Sequence, residues 1–398
     1  MSTRRDFLCA AGAWLALPAS PCAIRRIERR ALWRGRDGAT TWFHPRACLI
    51  PNRRPALFMT LQSISGSDYF GPVHWSESHD LGKIWSHPQP IPGMGRVTHP
   101  DGVEEGSCDT VPEYHSPTGT VLALAHNVYY KGGKLTRPNE RRWPVYIVRD
   151  RQGRWSALRK LEWDNPEASA MYTSGCSQRV TLPGGDILVP LSYAPVGRSD
   201  RAVCTVLCSF DGRMLTVRKT GNEHRLAVKR GLLEPSLANV AGRYYMTIRA
   251  EDGRGYSTVS GDGLRWEPIR PWCWDDGEPL ALSSTQQRWL PHSEGLWLVD
   301  TRKDASNLNV MRWRSPLFVA QVDTRNLCLL RATERLVFPL SADGVKAPNR
   351  VAHLGNFHTN VVTREFSLVT VGEVLPEEGY RGDTLAARIY WTRPNGNL

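Results

Sequence analysis

The stretch Ser78-His79-Asp80-Leu81-Gly82-Lys83-Ile84-Trp85 spells S-x-D-x-G-x-x-W, and three weaker echoes follow it. Asp150-Arg151-Gln152-Gly153-Arg154-Trp155 lies within VRDRQGRW. Ser209-Phe210-Asp211-Gly212 keeps the turn without a tryptophan at the expected place. Ser260-Gly261-Asp262-Gly263-Leu264-Arg265-Trp266 holds all three elements in shortened form. The string has the chemistry of a hairpin turn. Its aspartate accepts hydrogen bonds from backbone N–H groups of its own turn, its glycine supplies positive φ, and its tryptophan packs between neighbouring sheets. A turn that returns about every 50 to 70 residues predicts a repeated four-stranded unit and an all-β chain folded as a β-propeller.

Composition agrees with many short strands and tight turns: 15 tryptophans, 34 glycines and 28 prolines occur among 398 residues, and long helical patterns are absent. Segments such as Ala56–Leu61 and Arg243–Arg249 read as strands bounded by turn residues. The chain opens with Arg4-Arg5 ahead of a short apolar run, Cys9 to Leu17, that breaks at Pro18. This reads as a twin-arginine signal, too short to span a bilayer, with cleavage between Ala19 and Ala23. The expected organisation is a signal peptide over 1–23 and a single propeller domain over 24–398, exported in folded form to the periplasm or beyond. No later segment is apolar enough for a membrane anchor. Six blades of about 55 to 60 residues use this length, with seven shorter blades as the alternative.

The nine cysteines show no metal-ligand spacing and no C-x-x-C pair, so neither a metal nor a cofactor is expected. Cys204 and Cys208 lie four apart on a predicted strand and face one side of it. Most of the thiols read as small buried hydrophobes, and an odd count leaves at least one unpaired within a monomer, the oligomeric state expected here. The net charge of +12 points to an anionic partner. The basic residues are dispersed and match no nucleic-acid motif, so an acidic oligosaccharide or polysaccharide fits better than nucleic acid. The densest basic run, Lys131 to Arg142, carries glycines, proline and asparagine and reads as a solvated loop.

The S-x-D-x-G-x-x-W string and its echoes resemble the Asp box of the sialidase (BNR) superfamily. So does the run from Leu233-Glu234-Pro235-Ser236-Leu237 through Arg243–Arg249 to Ser260–Trp266, which is similar to E-P-x-x-x … R-x-x-D-G … S-x-D-G-x-x-W. The resemblance implies a six-bladed exo-sialidase-like propeller in which three arginines grip a sugar carboxylate. Phe43-His44-Pro45-Arg46 takes the place of the first-arginine string, Arg249 that of the second arginine, and Arg314 in Arg314-Ser315-Pro316-Leu317 that of the third. Arg312 competes with Arg314 from two residues away on what reads as one strand face. By the same resemblance Asp68 is the acid/base and Glu234 the buried carboxylate. Physically the set is coherent, because a planar guanidinium grips a carboxylate bidentately and two carboxylates flanking a glycosidic bond serve as acid and as base or nucleophile.

One departure stands out. Where the family supplies a tyrosine nucleophile, the chain reads His353-Leu354-Gly355-Asn356-Phe357-His358-Thr359, leaving His358 as the nearest polar candidate. Tyr380 and Tyr390 come later but sit in no matching motif. Histidine opens a second chemistry, resembling that of propeller-fold polysaccharide lyases and rhamnosidases, in which His126 abstracts a proton from a uronic acid with Tyr130 or Tyr172 as acid and Arg179 nearby. A third reading is a non-catalytic glycan-binding propeller that kept the scaffold and lost the nucleophile.

Overall fold

Six antiparallel sheets form a ring in the computed structural model, which describes residues 23–38, 40–136 and 142–397. Residues 1–22 of the predicted signal segment 1–23 and the centre of the basic loop, 137–141, lie outside the described residues. Each sheet is a blade whose first strand lines the central axis. These inner strands are Trp42–Ile50, Glu104–His115, Met171–Thr173 with Val180–Thr181, Leu233–Val240, Arg288–His292, and His353–Leu354 with His358–Val361. The predicted strands are present as Ala56–Gly66 and Arg243–Arg249. Blade six is completed from the other end of the chain: Ile24–Trp33 pairs antiparallel with Thr384–Trp391 and forms its outermost strand.

The four aspartate turns occupy equivalent places, each joining the third strand of a blade to its fourth in blades one to four. Asp80 Oδ1 accepts from the N–H groups of Lys83 (2.8 Å) and Ile84 (2.9 Å) and from Ser78 Oγ (2.8 Å). Asp150, Asp211 and Asp262 repeat the backbone part of this pattern. A fifth turn completes the series in blade five, where Asp323 accepts from the N–H groups of Arg325 and Asn326. That turn has neither the glycine nor the tryptophan, so the string did not reveal it.

The cores lie between blades, where strand faces of adjacent sheets meet. Leu122, Tyr146 and Val148 of blade two pack on Val189, Cys204 and Cys208 of blade three. Trp272, Trp289 and Leu298 fill the gap between blades four and five. Cys204 and Cys208 therefore face one core together as expected. They remain free thiols, as do the other cysteines among the described residues, and nearly all of these are buried.

The inner strands are not regular ladders. Register slips between Phe43 and Arg46, between Cys108 and Val111, and between Leu233 and Ser236. At each slip one non-glycine residue takes a left-handed conformation: His44 (φ 51°), Asp109 (φ 57°) and Glu234 (φ 46°). Blades three and six interrupt their inner strands at the matching level, around Cys176 and Asn356. A bulge turns a side chain away from the sheet face, and here the re-aimed residues converge at one end of the ring.

Candidate active site

A pocket of about 240 Å³ opens at that end. It lies just below the roughly 300–1,000 Å³ typical of small-molecule clefts, a size suited to one sugar unit. Blade one supplies Phe43, His44 and, from the turn between its second and third strands, Asp68 (φ 53°). Blade two supplies Asp109, His126 and Arg142, so the basic run ends in the pocket instead of remaining wholly a solvated loop. Arg201 and Arg230 come from blade three and the segment after it, Glu234 and Arg249 from blade four, and Arg312 and Arg314 from blade five. His353, Asn356 and Tyr380 come from blade six. Six arginines thus face three carboxylates, and the surplus positive charge favours an anion.

Glu234 and Arg249 meet because they stand on neighbouring strands of one hairpin. Arg249 donates from Nη1 to Glu234 Oε1 (2.7 Å) and from Nη2 to Ser284 Oγ (3.1 Å), with Glu251 Oε1 at 3.5 Å. Glu234 Oε2 is buried without a hydrogen-bond partner. Glu251 also binds Arg230, whose hydrogen bond is the main cause that lowers its carboxyl to about 2. Arg314 differs from Arg249. It forms no ion pair among the described residues, and its Nε is buried and unpartnered. Burial and the neighbouring Arg249 both lower its pKa. Arg312 stands beside these two and donates to the Ser284 carbonyl. The expected shared strand face of Arg312 and Arg314 is not observed: both precede the strand Leu317–Asp323, yet both still reach the pocket.

Arg46 is fully buried beneath the pocket and does not line it. Its guanidinium is committed to Asp109, whose Oδ1 also accepts from Asn356 Nδ2 (3.1 Å) and lies 3.5 Å from His44 Nδ1. Burial alone would raise the Asp109 carboxyl, but Arg46, His44 and His126 hold it well below the usual range. Arg46 therefore fixes an aspartate in the floor where the resemblance placed a bare guanidinium. His44, Cys108 and Asp109 also bring potential metal ligands within 4.8 Å of one another. Asp109 is already occupied by Arg46 and Asn356, and the arginine field opposes a cation there.

The other sequence candidates divide by depth. His126 lines the pocket with Nδ1 unpartnered, and burial followed by the charge of Arg142 brings its pKa down to about 3. A Cβ on Gly175 would stand 2.8 Å from that nitrogen, so the close approach of blade three requires glycine there. His358 is buried on its strand outside the pocket lining, where burial and the charges of Arg288 and Arg46 hold it neutral. Tyr130 and Tyr172 are also outside the lining. Tyr130 accepts from the Phe70 N–H (3.3 Å), and Tyr172 donates to the Leu161 carbonyl (2.7 Å). Arg179 is buried, bonded to the carbonyls of Val111 and Leu122 and paired with Glu113. Asp68, Glu234, Arg249, Arg314 and His126 are thus brought together, whereas Arg46, His358, Tyr130, Tyr172 and Arg179 lie behind the walls.

Sequence reasoning passed over His44 and Asn356, although both stand in strings singled out for other residues. Arg201, Arg230 and Asp109 belong to no motif. Tyr380 also lines the pocket, packed against the cluster of Phe43, Phe70 and Tyr130. This wall is built from blades one, two and six, whereas Glu234 comes from blade four.

No family model matches the chain, and no curated protein matches its sequence. Solved structures do match in fold. A protein of unknown function from Dyadobacter fermentans is 13% identical with a TM-score of 0.65, the match covering 94% of this chain and all of that one. Trypanosoma rangeli sialidase in complex with sialic acid is 13% identical with a TM-score of 0.61, over 92% of this chain and 59% of that one. A Hadza microbial sialidase is 12% identical with a TM-score of 0.61, over 91% and 68%. The chain spans little more than half the length of the trypanosomal enzyme, and identities this low speak for the fold alone. By its ring of blades and by these likenesses, the chain is a sialidase-like six-bladed β-propeller.

Proposed function

We propose that the chain is a glycoside hydrolase that removes a terminal acidic sugar from a glycan. The observation that carries this reading is the group Arg249, Arg312 and Arg314 on one wall, two of its members without a carboxylate partner among the described residues, set between Asp68 and Glu234. These two carboxylates come from blades one and four, which stand opposite each other in the ring. The arginines hold the sugar carboxylate. Asp68 protonates the leaving glycosidic oxygen as the bond to the anomeric carbon breaks. Glu234 takes a proton from the water whose oxygen bonds to that carbon. The small pocket volume supports exo action on a single unit. The twin-arginine start supports action in the periplasm or outside the cell.

The test is release of free acidic sugar from a panel of sialylated and uronate-capped glycans by wild type and by Asp68→Asn and Glu234→Gln. Each variant is expected to lose activity about 100-fold or more. Full activity in Asp68→Asn would remove that residue from the mechanism, and binding without turnover in wild type would favour a non-catalytic lectin-like role. The unpartnered Nδ1 of His126 on the pocket wall supports a second reading, a uronate lyase. There Tyr380 is better placed as acid than Tyr130 or Tyr172, whose hydroxyls are buried and engaged. An ultraviolet-absorbing unsaturated product, abolished by His126→Ala, would select it.

A further inference from the structure

Beneath the pocket, the inner strand of blade five carries Arg288, one of the largest fully buried side chains in the molecule. None of its three guanidinium nitrogens has a hydrogen-bond partner among the described residues. A buried guanidinium is tolerated when a counter-charge or strong acceptors meet it, because desolvation of a bare charge costs several kcal/mol. The carboxylates that act on it, Asp109 and Glu113, are each ion-paired to another arginine. Arg46 is spent on Asp109, and Arg179 on Glu113. Cys176, the ionisable group that acts most strongly on Arg288, is a thiol that burial keeps protonated. Among the described residues these pairings leave Arg288 as the buried guanidinium of this region without a carboxylate partner. The Nε of Arg46, also buried and unpartnered, is a second donor in the same interior.

We propose that the channel beneath the pocket binds one small monovalent anion of the halide class, held by the Arg288 guanidinium with the Arg46 Nε–H as second donor. One such ion balances the charge of Arg288 and satisfies donors that no acceptor meets among the described residues. This site is separate from the substrate pocket. Arg288 and Arg46 are absent from the pocket lining, and the anion binds whether or not the pocket acts on sugars.

Crystals of the wild-type protein soaked in sodium bromide test this directly. An anomalous peak against the Arg288 guanidinium is expected, and ordered waters there with no anomalous signal would overturn the proposal. In solution, thermal unfolding is compared in sodium chloride and in sodium gluconate at equal ionic strength. Chloride is expected to raise Tm saturably by roughly 2–4 °C, as binding to the folded state alone requires. Identical curves in the two salts would count against the site. Arg288→Met should abolish the chloride dependence, and a folded variant that keeps it would also overturn the assignment. If that variant does not fold, the two wild-type measurements decide.

Discussion

Arg249 and Arg314 share a pocket wall but differ in what their loss leaves behind. Arg249 neutralises Glu234, so Arg249→Met strands a partly buried carboxylate and should lower both Tm and ligand affinity. Arg314 has no such partner. Arg314→Met should leave Tm within about 1 °C of wild type, or raise it, while weakening binding of an acidic monosaccharide about 30-fold or more, read by calorimetry. Equal loss of stability in both variants would show that Arg314 serves the fold. The Glu234–Arg249 pair was legible in the sequence because a hairpin joins its two strands, so local spacing dictates the contact. The place of Arg46 was not. Its partner Asp109 lies 63 residues away on another blade, and nothing near either residue records the pairing. Arg201 and Arg230 were hidden as well, because the bridge of Arg201 to Gly231 that sets them side by side leaves no motif in either segment.

At the scale of elements, the aspartate turns explain why the fold could be read at all. Asp80 joins two backbone N–H groups and one hydroxyl within a single turn, a local arrangement that any copy must spell in nearly the same residues. Asp80→Ala should therefore lower stability by about 1–2 kcal/mol, seen as a lower urea midpoint, with sugar-binding affinity unchanged because the turn is remote from the pocket. A fall in affinity without a fall in stability would contradict a purely structural role. The bulges were harder to read. Two of them leave a faint mark, since His44-Pro45 and Glu234-Pro235 place prolines in inner strands, where a lost N–H favours a break in the ladder. Asp109-Thr110 carries no such sign, and its left-handed backbone follows from the contacts of Asp109 with Arg46 and Asn356.

The whole ring is closed by pairing Ile24–Trp33 with Thr384–Trp391. Removing residues 24–33 should expose the edge of the last blade, shift the protein to larger species on gel filtration and increase binding of a hydrophobic dye. An unchanged elution volume would show that blade six is stable without its fourth strand. The re-aimed residues of the inner strands have a further consequence. His44, Asp109, Glu234 and the loop residue Asn356 each occupy one position per blade, and the local break in pairing means their identity is not dictated by the ladder. The rim behaves as a set of addresses around a fixed frame, and those of His44, Asp109 and Asn356 are linked through the Asp109 carboxylate. Glu234 can therefore be exchanged with its partner Arg249 alone, whereas a change at Asp109 draws in His44, Arg46 and Asn356 together.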